Sequence, residues 1–124
     1  MSVILTYAFI TCLSLTAVDG DTIKCDGQNM RIMGPGSPNR SGIDAPEIRK
    51  AGCQAERTLG IQAKRRLDQL LKHDVRIQDS KKRDRYGRPL VWVRMSNGQT
   101  AGEVLLKEGY AQVWRPGRNI DWCR

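Results

Sequence analysis

The chain has 124 residues, a mass of 14.0 kDa and 40% hydrophobic residues, which is enough for one domain with its own core and too apolar for a disordered segment. Lys and Arg number 21 against 13 Asp and Glu, a net charge of +8. That charge points to a polyanionic partner, nucleic acid ahead of an anionic membrane surface, and no apolar run is long enough to span a bilayer.

The opening Met1 to Ile10 is hydrophobic but lacks the basic start and small-residue cleavage site of a signal peptide. We expect it to join the fold, or to be a trimmed natural start. Residues 10–18 mix β-branched and apolar positions with Thr and Ser and predict a half-buried strand. Asp19-Gly20 is a turn dipeptide, Thr22 to Cys25 the returning strand, and Asp26 to Asn29 a second turn before a third strand, Met30 to Met33. A Gly/Pro-rich loop, 34–41, then ends the strand abruptly.

Beyond it, Ala55, Leu59, Ala63, Leu67, Leu70 and Leu71 recur at helical spacing and predict a helix over 53–72. Val75 to Gln78 predicts a fourth strand, residues 79–85 a charged loop, and Pro89 to Met95 a fifth strand. A turn at Ser96 to Gln99 leads into a short helix, about 100–108, stopped by Gly109. The tail, 110–124, has no clear period. Three strands before a helix and two after it predict an α+β fold, a five-stranded OB-type β-barrel with packed helices, as a single domain over 1–124.

The cysteines, Cys12, Cys25, Cys53 and Cys123, contain no C-x-x-C pair and have only His73 to assist, which argues against zinc. We favour Cys12 with Cys25 across a hairpin and Cys53 with Cys123 tying the tail to the helix, with buried thiols as the alternative. Two bridges would mean an oxidising compartment, so a secreted or periplasmic location is favoured.

Chemistry concentrates in three short stretches. In Ser41-Gly42-Ile43-Asp44-Ala45-Pro46-Glu47 a proline separates two carboxylates and keeps a helix from running through them. Asp44 and Glu47 can therefore divide the work, one binding a hard cation and the other handling a proton. Asp19-Gly20-Asp21-Thr22 sets Asp21 at the start of a strand, from which it could face Asp44 and, with a backbone carbonyl and waters, suit Ca²⁺. Asp84-Arg85-Tyr86-Gly87-Arg88 supplies arginines able to grip two phosphate oxygens at once, and a tyrosine for hydrogen bonding or stacking. Each stretch alone reads equally as a turn, a helix start or a solvated basic loop.

Taken together and in this order, the three stretches resemble the staphylococcal nuclease family from about Thr11 to Trp114. The resemblance implies an OB-fold Ca²⁺-dependent phosphodiesterase acting on DNA and RNA. Carried over, it makes Asp21, Asp44 and the carbonyl of Ala45 metal ligands, Glu47 the general base, and Arg88 one of two phosphate-clamping arginines. Arg85 and Tyr86 would bind substrate. The second clamping arginine of the family lies five residues before the metal-binding aspartate, where this chain has Asn39. Removing 34–41 as an insertion restores that spacing with Arg31. Arg40 is nearer but shifted by an odd number, which in an extended chain turns its side chain to the opposite face. Arg31 is therefore favoured as the catalytic arginine. Family members also continue into a third helix, where this chain has Trp122-Cys123.

The expected reaction is hydrolysis of phosphodiester bonds with low sequence specificity, leaving 3′-phosphate ends, single-stranded or frayed substrate being favoured. Tyr86, Tyr110 and Trp114 are candidates for base stacking. A monomer without membrane attachment is expected, with strand exchange through the 34–41 loop as the route to a swapped dimer. The alternative is a non-catalytic OB-fold nucleic-acid-binding module, which would need the charge and aromatics but not Asp21, Asp44, Glu47 and Arg88 together.

Overall fold

Short β-branched segments separated by Asp-Gly turns give a meander, and one long amphipathic helix covers it. The computed structural model describes residues 8–38 and 40–124; the expectation that residues 1–7 join the fold falls outside them. In chain order the elements are β1 (Phe9–Ile10), β2 (Leu15–Ala17), β3 (Thr22–Cys25), β4 (Gln28–Ile32), β5 (Ile43–Asp44), α1 (Gln54–Leu71), β6 (Val75–Arg83), β7 (Pro89–Met95), α2 (Ala101–Lys107) and β8 (Gln112–Val113).

Six strands form one mixed sheet in the order β1-β6-β7-β4-β3-β2, parallel only between β4 and β7. The sheet curls into a half-barrel with two helices, an α+β architecture of the OB type. β5 and β8 make a separate antiparallel pair. The strands are more numerous than the five predicted. Residues 10–18 divide into β1 and β2 on opposite edges of the sheet, because β1 pairs with β6 while β2 pairs with β3.

Asp26 and Gly27 both take positive φ, 49° and 86°, so the β3–β4 connection is the two-residue kind that suits strand twist, and β4 begins at Gln28. β6 corrects the expected charged loop: it runs on to Arg83, with a register shift between Asp79 and Arg83 and Lys81 at φ 66°. Pairing with β7 resumes at Arg83, opposite Pro89, beyond that irregularity. The charges of this stretch sit mostly on exposed positions, so no apolar alternation marked it as strand. The tail likewise contributes β8.

α1 buries Gly60, Ala63, Leu67 and Leu70, while Ala55 is exposed. Cys53 caps its first turn, Sγ accepting from the Glu56 N–H at 3.4 Å. Thr100 caps α2, its hydroxyl accepting from the Glu103 N–H at 3.0 Å. Ile23, Ile32, Leu67, Val91, Val93 and Leu105 are wholly buried and form the centre of the core. Each such side chain contributes about 1.5–3 kcal/mol by leaving water.

Both favoured disulfides are present: Cys12–Cys25 fastens the chain between β1 and β2 to β3, and Cys53–Cys123 fastens the tail to the start of α1. The 34–41 loop closes on itself. Met33 and Gly42 are antiparallel bridge partners, and the Gly34 N–H donates to the Ser41 carbonyl at 2.7 Å. The Ser41 hydroxyl donates to the carbonyls of Pro35 and Ser37, which satisfies a side chain only 2% exposed. The loop thus leaves and rejoins the sheet region at one point. After β8 the described residues form no third helix.

Candidate active site

The Asp19-Gly20 turn delivers Asp21 to the foot of β3, under the chain at Ala45. A Cβ on Gly20 would come within 2.8 Å of the Cβ atoms of both Ala45 and Ala63, so glycine is what lets the turn approach this closely. Asp21 is 6% exposed. Its Oδ2 accepts from the Ala45 N–H at 2.9 Å and its Oδ1 from the Thr22 hydroxyl at 3.0 Å. Asp19 braces the turn, Oδ1 accepting from the Asp21 N–H at 3.0 Å.

Arg31, on β4, stands opposite Thr22 in the ladder. Its Nη2 donates to the Ile43 carbonyl at 2.7 Å and lies 3.5 Å from Asp21 Oδ2 and 3.6 Å from Asp44 Oδ1. Asp44 is held by β5, whose register sets it against Gln112 of β8. The two aspartates therefore face one point. Arg40 is elsewhere, exposed on the loop, where its N–H donates to the Ser37 carbonyl at 3.0 Å.

The acids crowd one another. Burial first, then the charge of Asp21, pushes Asp19 up to about 7. Asp44 is raised by burial and by Asp21, against the pull of Arg31. Glu47, though exposed at the surface, is raised by partial burial of its carboxyl and by the charges of Asp21, Asp44 and Glu56. Like charges in one place disfavour ionisation, and a cation among them relieves the strain.

Among the described residues no three His, Cys, Asp or Glu side chains form a metal-holding cluster. What is present is a pair of carboxylates, Asp21 and Asp44, both within 3.6 Å of the Arg31 guanidinium, while Ala45 turns its N–H to Asp21. Oxygen donors completed by water suit a hard divalent cation.

On the other side of Arg31 a tight turn shapes the arginine-rich stretch. Asp84 Oδ1 accepts from the N–H groups of Tyr86 and Arg88, each at 2.9 Å, and Asp84 Oδ2 accepts from Arg88 Nε at 2.6 Å. Gly87 completes the turn at φ 81°. Burial pushes the Asp84 carboxyl up, but these bonds and the guanidinium outweigh it and leave the pKa below its ordinary value. Tyr86, 69% exposed, lies between two guanidinium groups, with Arg85 Cζ 4.9 Å and Arg88 Cζ 5.6 Å from its ring centre.

Arg31, Arg85, Tyr86 and Arg88 line one cleft of about 620 Å³, closed on its far side by Trp114, Arg115 and Arg118. Glu47 is not part of that lining. Its link to the site is electrostatic, through Asp21, Asp44 and Arg31. Of the stacking candidates, Tyr86 and Trp114 are exposed in the cleft, whereas Tyr110 packs against the core. The sequence reading passed over Asp84 as the partner of Arg88, Glu56 beside Glu47, and Arg115 and Arg118; the last two are visible only as charge in an aperiodic tail.

A model of the staphylococcal nuclease homologue family matches residues 40–121. The chain belongs to that family. No curated protein matches it. The matched segment carries Asp44, Ala45, Glu47, Arg85, Tyr86 and Arg88 and begins on the far limb of the 34–41 loop. Asp21 and Arg31 precede it, so what brings them into the site is the geometry of β3 and β4.

Proposed function

We propose that the protein is a Ca²⁺-dependent nuclease that hydrolyses phosphodiester bonds of DNA and RNA with low sequence specificity, leaving 3′-phosphate ends. The observation that carries this reading is the place of Arg31: one guanidinium stands against Asp21 and Asp44 on one side and, with Arg88, lines a basic, aromatic cleft on the other. A module that only bound nucleic acid would have no use for two converging acids beside its arginines.

Asp21, Asp44 and the Ala45 carbonyl would hold the cation, which when bound neutralises and orients the scissile phosphate. Glu47 accepts a proton from water as the water oxygen bonds to phosphorus. The bond from phosphorus to the 5′ oxygen breaks, and that oxygen takes a proton from solvent. Partial burial and the neighbouring acids raise the Glu47 pKa, which makes it a stronger base than an ordinary carboxylate. Arg31 and Arg88 grip the non-bridging oxygens and stabilise the charge that builds on them. These contacts are to phosphate, which carries no base identity, so specificity is low. Tyr86 and Trp114 offer faces to unpaired bases, which favours single strands. The two disulfides fit an oxidising compartment.

The test is cleavage of a single-stranded oligonucleotide against Ca²⁺ concentration. Chelator should abolish cleavage, Ca²⁺ restore it, and Asp44→Asn shift the midpoint to higher Ca²⁺. Equal cleavage in chelator would refute the metal dependence.

A further inference from the structure

The segment from Glu47 to Gly52 has no regular secondary structure and carries exposed Arg49 and Lys50, a poor support for a carboxylate that must meet a water molecule. One side chain fastens both of its ends. Glu56, in the first turn of α1, accepts from the Glu47 N–H through Oε2 at 3.0 Å and from the Gly52 N–H through Oε1 at 2.8 Å. Only an ionised carboxylate presents two acceptor oxygens; an amide presents one.

Glu56 is itself fixed. Its N–H donates to Cys53 Sγ, and Cys53 is bridged to Cys123. The bridge lies close by, Cys123 Sγ being 3.7 Å from where a Cβ on Gly52 would sit. From behind, Gly60 lets α1 approach so nearly that its own Cβ would fall 2.9 Å from the carbonyl oxygens of Pro46 and Glu47. Helix, disulfide and carboxylate thus meet on the segment that carries Glu47.

We propose that Glu56 is a positioning residue for Glu47, kept in place by the Cys53–Cys123 disulfide. This rests on the reading of Glu47 as the base. The same disulfide anchors the tail whose Arg115 and Arg118 wall the cleft, so one covalent tie sets both base and substrate wall.

The test compares wild type, Glu56→Gln, Cys53→Ser/Cys123→Ser and the combination of all three. Serine keeps a capping oxygen at position 53 while severing the tie. Steady-state cleavage of a single-stranded oligonucleotide with Ca²⁺ is measured alongside amide hydrogen exchange at Glu47 and Gly52. Glu56→Gln should lower kcat about 10- to 100-fold, with KM within about threefold, because misplacing a reacting group by about 1 Å costs up to 10²-fold. Exchange at one of the two amides should quicken. The serine pair should lower kcat and also raise KM through the tail. Adding Glu56→Gln to it should lower kcat no further than the larger single loss, since both act through one contact. Glu56→Asp, which keeps the charge but cannot span both amides, should lose kcat like Glu56→Gln. Wild-type kcat in either folded Glu56 variant overturns the positioning role, and additive losses overturn the disulfide link. A wild type that cuts nothing overturns the nuclease reading and this inference with it, whereas an active wild type with an unaltered Glu56 variant overturns this inference alone.

Discussion

Replacing Arg31 with alanine removes the cation that stands between Asp21 and Asp44. In the structure its Nη2 makes a 2.7 Å bond to the Ile43 carbonyl and two ion-pair approaches at 3.5 and 3.6 Å. A hydrogen bond from a charged donor contributes about 1.5–3 kcal/mol. The ion pairs are partly screened, with the Arg31 side chain 23% exposed, and add at most about 1 kcal/mol between them. We therefore expect Arg31→Ala to cost about 1.5–4 kcal/mol of stability in urea titrations. On the folded variant, cleavage should fall about 10²- to 10³-fold, the usual loss when a group stabilising transition-state charge is removed. Arg40→Ala is the matched control. Arg40 is exposed on the loop, so stability should move by less than about 0.5 kcal/mol. Full activity in Arg31→Ala together with loss in Arg40→Ala would falsify the assignment and, with it, the view that 34–41 is an insertion.

Arg88→Lys keeps the charge but loses the planar fork, and kcat should drop about 10²-fold in the same assay; near-normal turnover would exclude bidentate phosphate binding. Asp19→Asn should stabilise the metal-free protein at high pH. The folded-state pKa of Asp19, about 7, lies above the unfolded value of 3.8, so its contribution is full below the unfolded value and is lost as pH rises through about 7. Asparagine, neutral throughout and still able to accept from the Asp21 N–H, should gain at least about 1 kcal/mol at pH 8, fading to nothing near pH 4; a pH-independent difference in thermal midpoint would contradict the crowding of acids. Cleavage or binding of single strands should weaken steadily as salt rises, and Arg118→Ala should flatten that slope; an unchanged slope would remove Arg118 from the substrate path.

How much of this was legible depended on whether a signal was local. Asp-Gly turns, β-branched runs and the 3.6-residue spacing of Ala63, Leu67 and Leu70 are local, and β3, α1, β7 and α2 lie within a residue or two of their expected places. Lys81 to Arg83 read as loop because their side chains are exposed and the pairing with β7 shifts register between Asp79 and Arg83, so no apolar alternation marks them as strand. β8 is two residues long and exists only because β5 lies beside it. In the site, Asp44, Glu47 and Arg88 were legible through the resemblance that their three stretches carry together. Arg31 was legible only once the 34–41 loop was set aside as an insertion, and the bridge between Met33 and Gly42 is what undoes that separation in the fold. Asp84 and Glu56 carry no sequence signal of what they hold, a guanidinium and two backbone amides, which only the fold displays.

The most direct measurement is end-group analysis of a single-stranded DNA incubated with Ca²⁺ and either wild type or Glu47→Gln. Wild type should yield fragments with 3′-phosphate and 5′-hydroxyl ends, and Glu47→Gln should bind the strand equally but cut it at least about 10²-fold more slowly. Intact DNA retained by both proteins with equal affinity would contradict the account and leave a basic OB-type module that binds without cutting.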